Sequence, residues 1–263
     1  MIKILLDAGH YEGYNPSKAY PQYKEGNKMF TLVNYVKEYL ENKYVVKIDT
    51  TRANNKLDKP VYDRGYMSKG YNAFYSFHSN ACDNPNVERV IIFRAFGNTT
   101  LNSYALELAN GIKDCIGIKQ ASQVTEKGTL TNNEYYGVLR GAKNAGTKER
   151  YLIEHGFHTN EGVAKWLNND DNLKKLAKVE GDIIAKHHDL KPKNNVKMIK
   201  VVKDVNYRSK PIFNDDKYIV GKAKVGEVFT VTDIVNSDTS TKMYKLKSGN
   251  YITTSSKYVE IYK

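Results

Sequence analysis

The sequence lacks the features that mark membrane proteins and disulfide-stabilised proteins. Its longest apolar stretches are of the kind found at Val90–Phe93, far short of the roughly 18–20 residues that a membrane helix needs. The apolar residues near the start end at Asp7, so we expect no secretory signal peptide. The two cysteines, Cys82 and Cys115, are too few for a disulfide framework or a four-cysteine metal site. We therefore expect a chain that does not insert into a membrane.

The charge balance is strongly basic. Lys and Arg number 41 against 29 Asp and Glu, for a formal net charge of +12 at pH 7. The net charge is +4 over residues 1–190 and +6 over the much shorter segment 197–263. A basic surface attracts polyanions such as nucleic acid or anionic wall polymers. No recognisable nucleic-acid motif is present, so we expect no nucleic-acid partner. Two explanations of the basic charge stay open: binding to an anionic wall polymer, and a lysine-rich composition with no binding role.

Strand and helix patterns alternate over residues 1–190. Short apolar runs predict strands, for example at 2–6, 73–77 and 151–153. The clearest helical face steps by three and four residues, at Met29, Leu32, Val33, Val36 and Leu40. Alternation of this kind predicts an α/β fold with a twisted, mainly parallel mixed sheet flanked by helices.

The pattern changes at the end of this segment. Residues 189–197 are polar and aperiodic, which predicts a linker between a domain over 1–188 and a second domain over 198–263. His187 and His188 stand beside the linker, and we expect them to be solvated. From residue 198 onward only short strand patterns separated by turn residues remain, and these predict a small all-β barrel.

Three of the predicted strands run into side chains that ligate metals. These side chains are His10, His78 and Glu154, and Glu25 stands just before an amphipathic helix. The carboxyl ends of parallel strands converge on one crevice, so the four residues can meet there. Two histidines and one carboxylate make a typical catalytic zinc set, and a second carboxylate can then serve as general base. Hydrogen-bonded core histidines, and a Glu25 that only favours a helix N-terminus, are the alternatives.

The motifs that carry these residues occur in the order of a known enzyme family. They are D-A-G-H at 7–10, K-E-G-N-K around Glu25, R-G-Y-M-S-K-G-Y-N at 64–72, F-Y-S-F-H-S-N-A at 74–81, G-V-L-R at 137–140 and Y-L-I-E-H-G-F-H-T-N at 151–160. The first 185 or so residues thereby resemble the zinc-dependent N-acetylmuramoyl-L-alanine amidases of the cell-lytic type, found among bacterial autolysins and phage endolysins.

The resemblance implies a role for each motif residue. His10, Glu25 and His78 become the zinc ligands, and Glu154 becomes the catalytic carboxylate that accepts a proton from the zinc-bound water. The bond cut joins the lactyl group of N-acetylmuramic acid to the first L-alanine of the stem peptide. The family fold, a twisted mixed sheet flanked by helices, agrees with the alternation described above.

Three neighbouring residues have two interpretations each. Asn80 either orients a ligand or contacts substrate, or it stabilises a turn. Arg140 either contacts the substrate carboxylates or is a surface arginine. His155, next to Glu154, would replace Glu25 if the site held three histidines. Cobalt or manganese could occupy similar ligands in place of zinc.

The second segment resembles bacterial SH3-like wall-binding domains. The resemblance rests on V-N-Y-R-S-K-P at 205–211, V-G-K-A-K-V-G-E-V-F-T-V at 220–231 and M-Y-K-L at 243–246. Lys210 replaces a usual glycine, and Met243 stands where the family often has tryptophan. The whole chain is therefore interpreted as an endolysin that binds and cuts peptidoglycan, made in the cytoplasm and released by a holin or by lysis. A zinc peptidase acting within the stem peptide and a non-catalytic wall-binding protein are the alternatives.

Overall fold

A computed structural model of the chain describes residues 1–193 and 198–262, and its contacts divide after Pro192 into two units, Met1–Pro192 and Lys193–Lys263. The division falls inside the range predicted as a linker, 189–197, of which residues 194–197 lie outside the described residues. No helix within the described ranges is long and apolar enough to cross a membrane.

Strands and helices alternate in the first unit. The strands are β1 (Lys3–Ala8), β2 (Lys47–Thr50), β3 (Ala73–Asn80), β4 (Ile91–Arg94), β5 (Gln123–Thr125) and β6 (Glu149–Phe157). The α-helices are α1 (Glu25–Lys43), α2 (Val61–Tyr66), α3 (Asn102–Ile116), α4 (Gly137–Asn144), α5 (Glu161–Leu167) and α6 (Asp170–His187). The sheet order is β2-β1-β3-β6-β4-β5, and every neighbouring pair is parallel except β4 and β6. The predicted mainly parallel mixed sheet is confirmed.

The sheet has an apolar core on each face. Ile4 and Leu6 of β1 pack into the larger core with α1, α3 and α6, whereas Leu5 packs on the other face against α4. Successive side chains of a strand point to opposite faces, so one apolar run supplies both cores. The predicted face of α1 is fully buried, and full burial of each such side chain contributes about 1.5–3 kcal/mol.

The last helix corrects one expectation. His187 and His188 were expected to be solvated: His187 is solvent-exposed at the end of α6, whereas His188 caps that helix and is partly buried. His187 Nε2 lies 2.7 Å from Glu149 Oε2, and His188 Nε2 lies 2.9 Å from the Tyr75 hydroxyl. The apolar periodicity of α6 ends before the two histidines, whereas polar contacts with β6 and β3 hold this last turn.

The second unit consists of short antiparallel strands. They are β7 (Met198–Val201), β8 (Val205–Arg208), β9 (Ile219–Ala223), β10 (Val228–Asn236), β11 (Lys242–Leu246), β12 (Tyr251–Thr253) and β13 (Val259–Ile261). Their order in the sheet is β13-β7-β10-β11-β12-β8-β9. Buried side chains such as Ile199, Val231 and Ile252 form a core of their own. The predicted separate all-β unit is confirmed at this level.

Candidate metal centre

Three of the predicted residues converge at the carboxyl edge of the sheet. His10 follows β1, Glu25 is the first residue of α1, and His78 lies near the end of β3. His10 Nε2 is 3.3 Å and His78 Nδ1 is 2.9 Å from the same carboxylate oxygen, Oε1 of Glu25. One donor atom from each of the three residues lies within 4.8 Å of the other two. The strand ends and the start of α1 therefore place a His–Glu–His donor set at one point.

Two glycines permit this convergence. A Cβ atom on Gly9 would lie 2.3 Å from Cε1 of His78, so the imidazole occupies the space that a side chain would need. A Cβ atom on Gly26 would lie 1.9 Å from the carbonyl oxygen of Tyr11, where the loop after β1 crosses the start of α1. The glycine inside D-A-G-H and the glycine after Glu25 are thus both required by close approach.

Glu25 is buried and yet charged. Its side chain is 1% exposed, and burial by itself raises the pKa of a carboxyl group. Hydrogen bonds from His10 and His78 outweigh the burial and hold the pKa of Glu25 well below its usual range. The backbone N–H of Ser79 donates to Oε1 at 3.1 Å, and the Asn15 amide donates to Oε2. The centre therefore offers an ionised carboxylate and two imidazoles, which is a donor set that suits Zn²⁺.

A buried hydrogen-bond chain holds the ring of His78. Its Nε2 lies 3.1 Å from the Ser76 hydroxyl, which donates to Oδ2 of Asp7 at 2.7 Å. Asp7 is fully buried and also accepts from Thr51 at 2.6 Å and from Arg64 at 3.4 Å. A second partner on the far ring nitrogen fixes the orientation of a ligating histidine. The aspartate of D-A-G-H thus acts through Ser76 on the ligand that follows on β3.

Arg52 is a further positioning residue that the sequence analysis missed. It is buried, and its guanidinium donates to the carbonyl oxygens of Gly9 at 3.4 Å and of Gly26 at 3.3 Å. Burial lowers the pKa of Arg52 to about 10, so the group keeps its charge at neutral pH. The contacts join the loop that carries His10 to the helix that begins at Glu25. The only sequence signal is a charged residue shortly after β2, at the same edge as the other strand ends.

Glu154 lies beside the cluster without belonging to it. It is the register partner of His78 across the parallel pair β3 and β6. Its Oε2 is buried and has no hydrogen-bond partner among the described residues. Burial raises the pKa of Glu154 well above its usual range, and the negative charge of Glu25 raises it further. A buried carboxyl group with a strongly perturbed pKa beside such a cluster is a candidate for proton transfer.

The histidine next to Glu154 points elsewhere. His155 is fully buried, its Nδ1 lies 2.9 Å from the carbonyl oxygen of His78, and its Nε2 lies 2.9 Å from Oε1 of Glu180. Neighbouring residues of a strand face opposite sides, so Glu154 and His155 cannot both face the cluster. The structure therefore gives no support to a site of three histidines.

Asn80 and Arg140 contact nearby backbone. The Asn80 side chain accepts from the N–H of Ala81 at 2.8 Å, which stabilises the turn after β3. Arg140, on α4, donates to the carbonyl oxygens of Glu134 at 3.0 Å and Tyr135 at 3.2 Å. Neither side chain joins the His–Glu–His cluster. In this structure both make the contacts expected of turn- and loop-stabilising residues.

A cleft of about 520 Å³ is lined by Asn15, but His10, Glu25, His78 and Glu154 are not among the residues of its wall. Asn15, which bonds Glu25, lies in its wall together with Lys18, Asp83 and His158. Clefts of this size are typical of sites for small molecules and short peptides. The opposite charges of Lys18 and Asp83 suit a ligand that carries both an acid and an amine.

Comparison with known proteins decides the family. Residues 4–186 match the family model of N-acetylmuramoyl-L-alanine amidases. The chain belongs to the N-acetylmuramoyl-L-alanine amidase family. The amidase is a peptidoglycan hydrolase, as the order of its motifs predicts. Residues 192–259 match the model of a domain of unknown function.

Similar proteins agree with this assignment. The amidase is 29% identical to an endolysin of Bacillus phage SPP1, in an alignment that covers 98% of this chain and 97% of the relative. The catalytic domain of the amidase CwlV from Bacillus (Paenibacillus) polymyxa var. colistinus is 16% identical and superposes with a TM-score of 0.61, over 73% of this chain and all of that one. The CwlD amidase from Clostridioides difficile is 18% identical, with a TM-score of 0.60 over 72% of this chain and 99% of that one. At these identities the two structures show the shared fold.

Proposed function

We propose that this amidase is a zinc-dependent phage endolysin in which His10, Glu25 and His78 bind the metal and Glu154 is the general base. The observation that carries the proposal is a donor set of two imidazoles and one ionised carboxylate beside a carboxyl group whose Oε2 is unpartnered among the described residues. A catalytic zinc site needs three such protein ligands and an open position. The fit of these residues to zinc thus rests on their own chemistry.

A zinc ion held by His10, Glu25 and His78 would polarise the scissile carbonyl and would lower the pKa of a bound water to about 7. The protein side chains do the rest. Glu25, held ionised by the two histidines, offsets the positive charge of the centre. The chain from Ser76 to Asp7 keeps the ring of His78 in one orientation.

Glu154 moves the proton. Its Oε2 accepts a proton from the water as the water oxygen bonds to the lactyl carbonyl carbon. The same atom then gives that proton to the nitrogen of L-alanine as the carbon–nitrogen bond breaks. Burial and the charge of Glu25 raise the pKa of Glu154, which favours uptake of the proton by its carboxylate. A positioned group of this kind contributes about 10²–10⁴-fold to the rate.

The stem peptide is proposed to lie in the 520 Å³ cleft that Asn15 lines. Lys18 and Asp83 offer a cation and an anion to the charged groups of the peptide. A substrate held in this cleft comes within reach of Asn15, whose amide bonds the buried ligand Glu25. Cleft and centre are thus linked through one side chain.

The second unit is proposed to be an SH3-like domain that binds the cell wall. Its antiparallel strands, its sequence resemblance to wall-binding domains and its net charge of +6 over residues 197–263 support a role in binding anionic wall polymer. The endolysin of phage SPP1 aligns over both units. We propose that this chain is likewise an endolysin, released to the wall by a holin or by lysis.

The test is a digest of purified peptidoglycan, read by mass spectrometry with and without a chelator. Free stem peptides that begin at L-alanine, beside intact glycan strands, are expected without chelator and should disappear with it. Cleavage within the peptide would contradict the assigned bond. Cleavage that persists after full metal removal would contradict the zinc mechanism.

A further inference from the structure

A second cluster of metal-ligating side chains lies at the other end of β6. Glu149 is the first residue of that strand, and Glu154 follows five residues later, about 16 Å away at roughly 3.3 Å per residue. His187 ends α6 and His188 caps it. One donor atom from each of Glu149, His187 and His188 lies within 4.8 Å of the other two. The cluster is therefore separate from the amidase centre.

The spacing of the donor atoms suits a metal ion. His187 Nε2 lies 2.7 Å from Oε2 of Glu149. Ligands about 2.0–2.1 Å from a tetrahedral zinc ion are about 3.3 Å apart, so this pair needs to separate by less than about 1 Å. The corresponding distances from Glu25 to His10 and His78 are 3.3 and 2.9 Å. Both clusters thus have the separation that one ion can bridge.

Buried tyrosines hold the two imidazoles in place. The ring of Tyr104 stacks on His187, with centroids 3.6 Å apart and an interplanar angle of 12°. His188 Nε2 lies 2.9 Å from the hydroxyl of Tyr75, which itself lies 2.8 Å from the hydroxyl of Tyr104. Partners that fix the orientation of a ligand ring reduce the entropy lost when the ring binds a metal. Ser76 has the same role beside His78 in the amidase centre. The site is therefore built before an ion arrives.

The site is also accessible and of suitable charge. The side chains of Glu149 and His187 are 32% and 25% exposed, so an ion can enter from solvent. The nearby cation of Lys186 is paired with Glu107 at 2.7 Å. Two imidazoles and a carboxylate favour zinc and similar late divalent metals over magnesium or calcium.

We propose that Glu149, His187 and His188 bind a second divalent metal ion, Zn²⁺, with a structural role. The ion ties the end of α6 to the start of β6, shortly before the first unit ends at Pro192. It lies at the far end of the strand from Glu154 and takes no part in hydrolysis. Its occupancy does not depend on the amidase centre.

The test is the zinc stoichiometry of the full chain after chelator treatment, titrated with Zn²⁺ against a chromogenic chelator. We expect two equivalents for the wild type, one for His10→Ala, one for His188→Asn and none for the double variant. Lys186→Ala, a neighbour that is not a ligand, should keep two. Zn²⁺ should also raise the melting temperature of His10→Ala, because an ion that binds only the folded chain stabilises it.

Two results would overturn the proposal. One is a wild type that binds a single equivalent, lost in His10→Ala. The other is a second equivalent that survives in both His188→Asn and Glu149→Gln, the latter a near-isosteric change that serves if His188→Asn does not fold. If the amidase centre binds no zinc, the result is different. The wild type would then bind one equivalent, which His10→Ala keeps and His188→Asn loses.

Discussion

Gly9→Ala should slow hydrolysis by about 100-fold without unfolding the enzyme. The new Cβ would lie 2.3 Å from Cε1 of His78, whereas ordinary contact begins at 3.4 Å, so the imidazole must move by about 1.1 Å. Gly9 is not among the glycines with positive φ, so alanine adds no backbone strain there and its effect comes from the contact with His78. A misplacement of about 1 Å at a catalytic centre costs about 10²-fold in rate, or about 2.7 kcal/mol of transition-state stabilisation.

The assay combines hydrolysis of purified peptidoglycan with zinc titration and thermal unfolding. The matched control is Gly162→Ala on α5, where the new Cβ meets only Oδ1 of Asn160, at 3.3 Å. The control should keep wild-type hydrolysis. A Gly9→Ala protein that binds zinc and hydrolyses its substrate like the wild type would show that His78 does not need the space above Gly9, and the geometry of the centre would have to be revised.

Three further predictions test other parts of the molecule. Asp7→Asn should lower zinc affinity at the amidase centre by about 10- to 100-fold, measured by equilibrium dialysis, because the chain behind His78 loses its carboxylate; unchanged affinity would remove this role. In the presence of a chelator, the free energy of unfolding should fall as the pH drops from about 6.5 to about 4, by up to about 1.36 kcal/mol per pH unit. Burial lowers the pKa of His188 to about 4 in the folded chain. The unfolded chain therefore takes up this proton at a higher pH than the folded chain does, and acid favours unfolding. When the free energy of unfolding is measured with urea at each pH, His188→Asn should show a weaker dependence on pH than the wild type. An equal dependence on pH would contradict the assignment to His188. Residues 1–192 alone should hydrolyse soluble muropeptide but bind whole walls less well than the full chain, and equal binding in a wall pull-down would remove the targeting role of the second unit.

Local patterns predict the elements that position the site. The three- and four-residue steps from Met29 to Leu40 give α1 and its buried face, because burial of one face is what stabilises such a helix. Asn160 caps α5 by accepting from the N–H of Val163 at 3.1 Å, a contact typical of asparagine at a helix start. The polar residues at the carboxyl ends of β1 and β3 predict the convergence of His10 and His78, because parallel strands end at one edge. These features depend on neighbours in sequence or on one topological rule.

The remaining features depend on contacts between distant segments. Arg52 stands in no periodic pattern, and its role depends on the carbonyl oxygens of Gly9 and Gly26 that tertiary packing brings to it. The pair His187 and His188 is polar and follows the last apolar step of α6, so the sequence predicts solvation. Only the fold places Glu149 and Tyr75 beside them. A polar contact between distant segments leaves no trace in local hydrophobicity.

The zinc content and activity of Glu154→Gln test the central claim most directly. The change keeps the shape of the side chain and removes the group that takes up the proton. We expect the folded variant to bind as many equivalents of zinc as the wild type and to lose about 10²–10⁴-fold in hydrolysis of peptidoglycan. His78→Ala, the matched ligand variant, should lose one equivalent of zinc together with activity. Loss of zinc from folded Glu154→Gln, or hydrolysis at the wild-type rate, would contradict the division between His10, Glu25 and His78 as ligands and Glu154 as base.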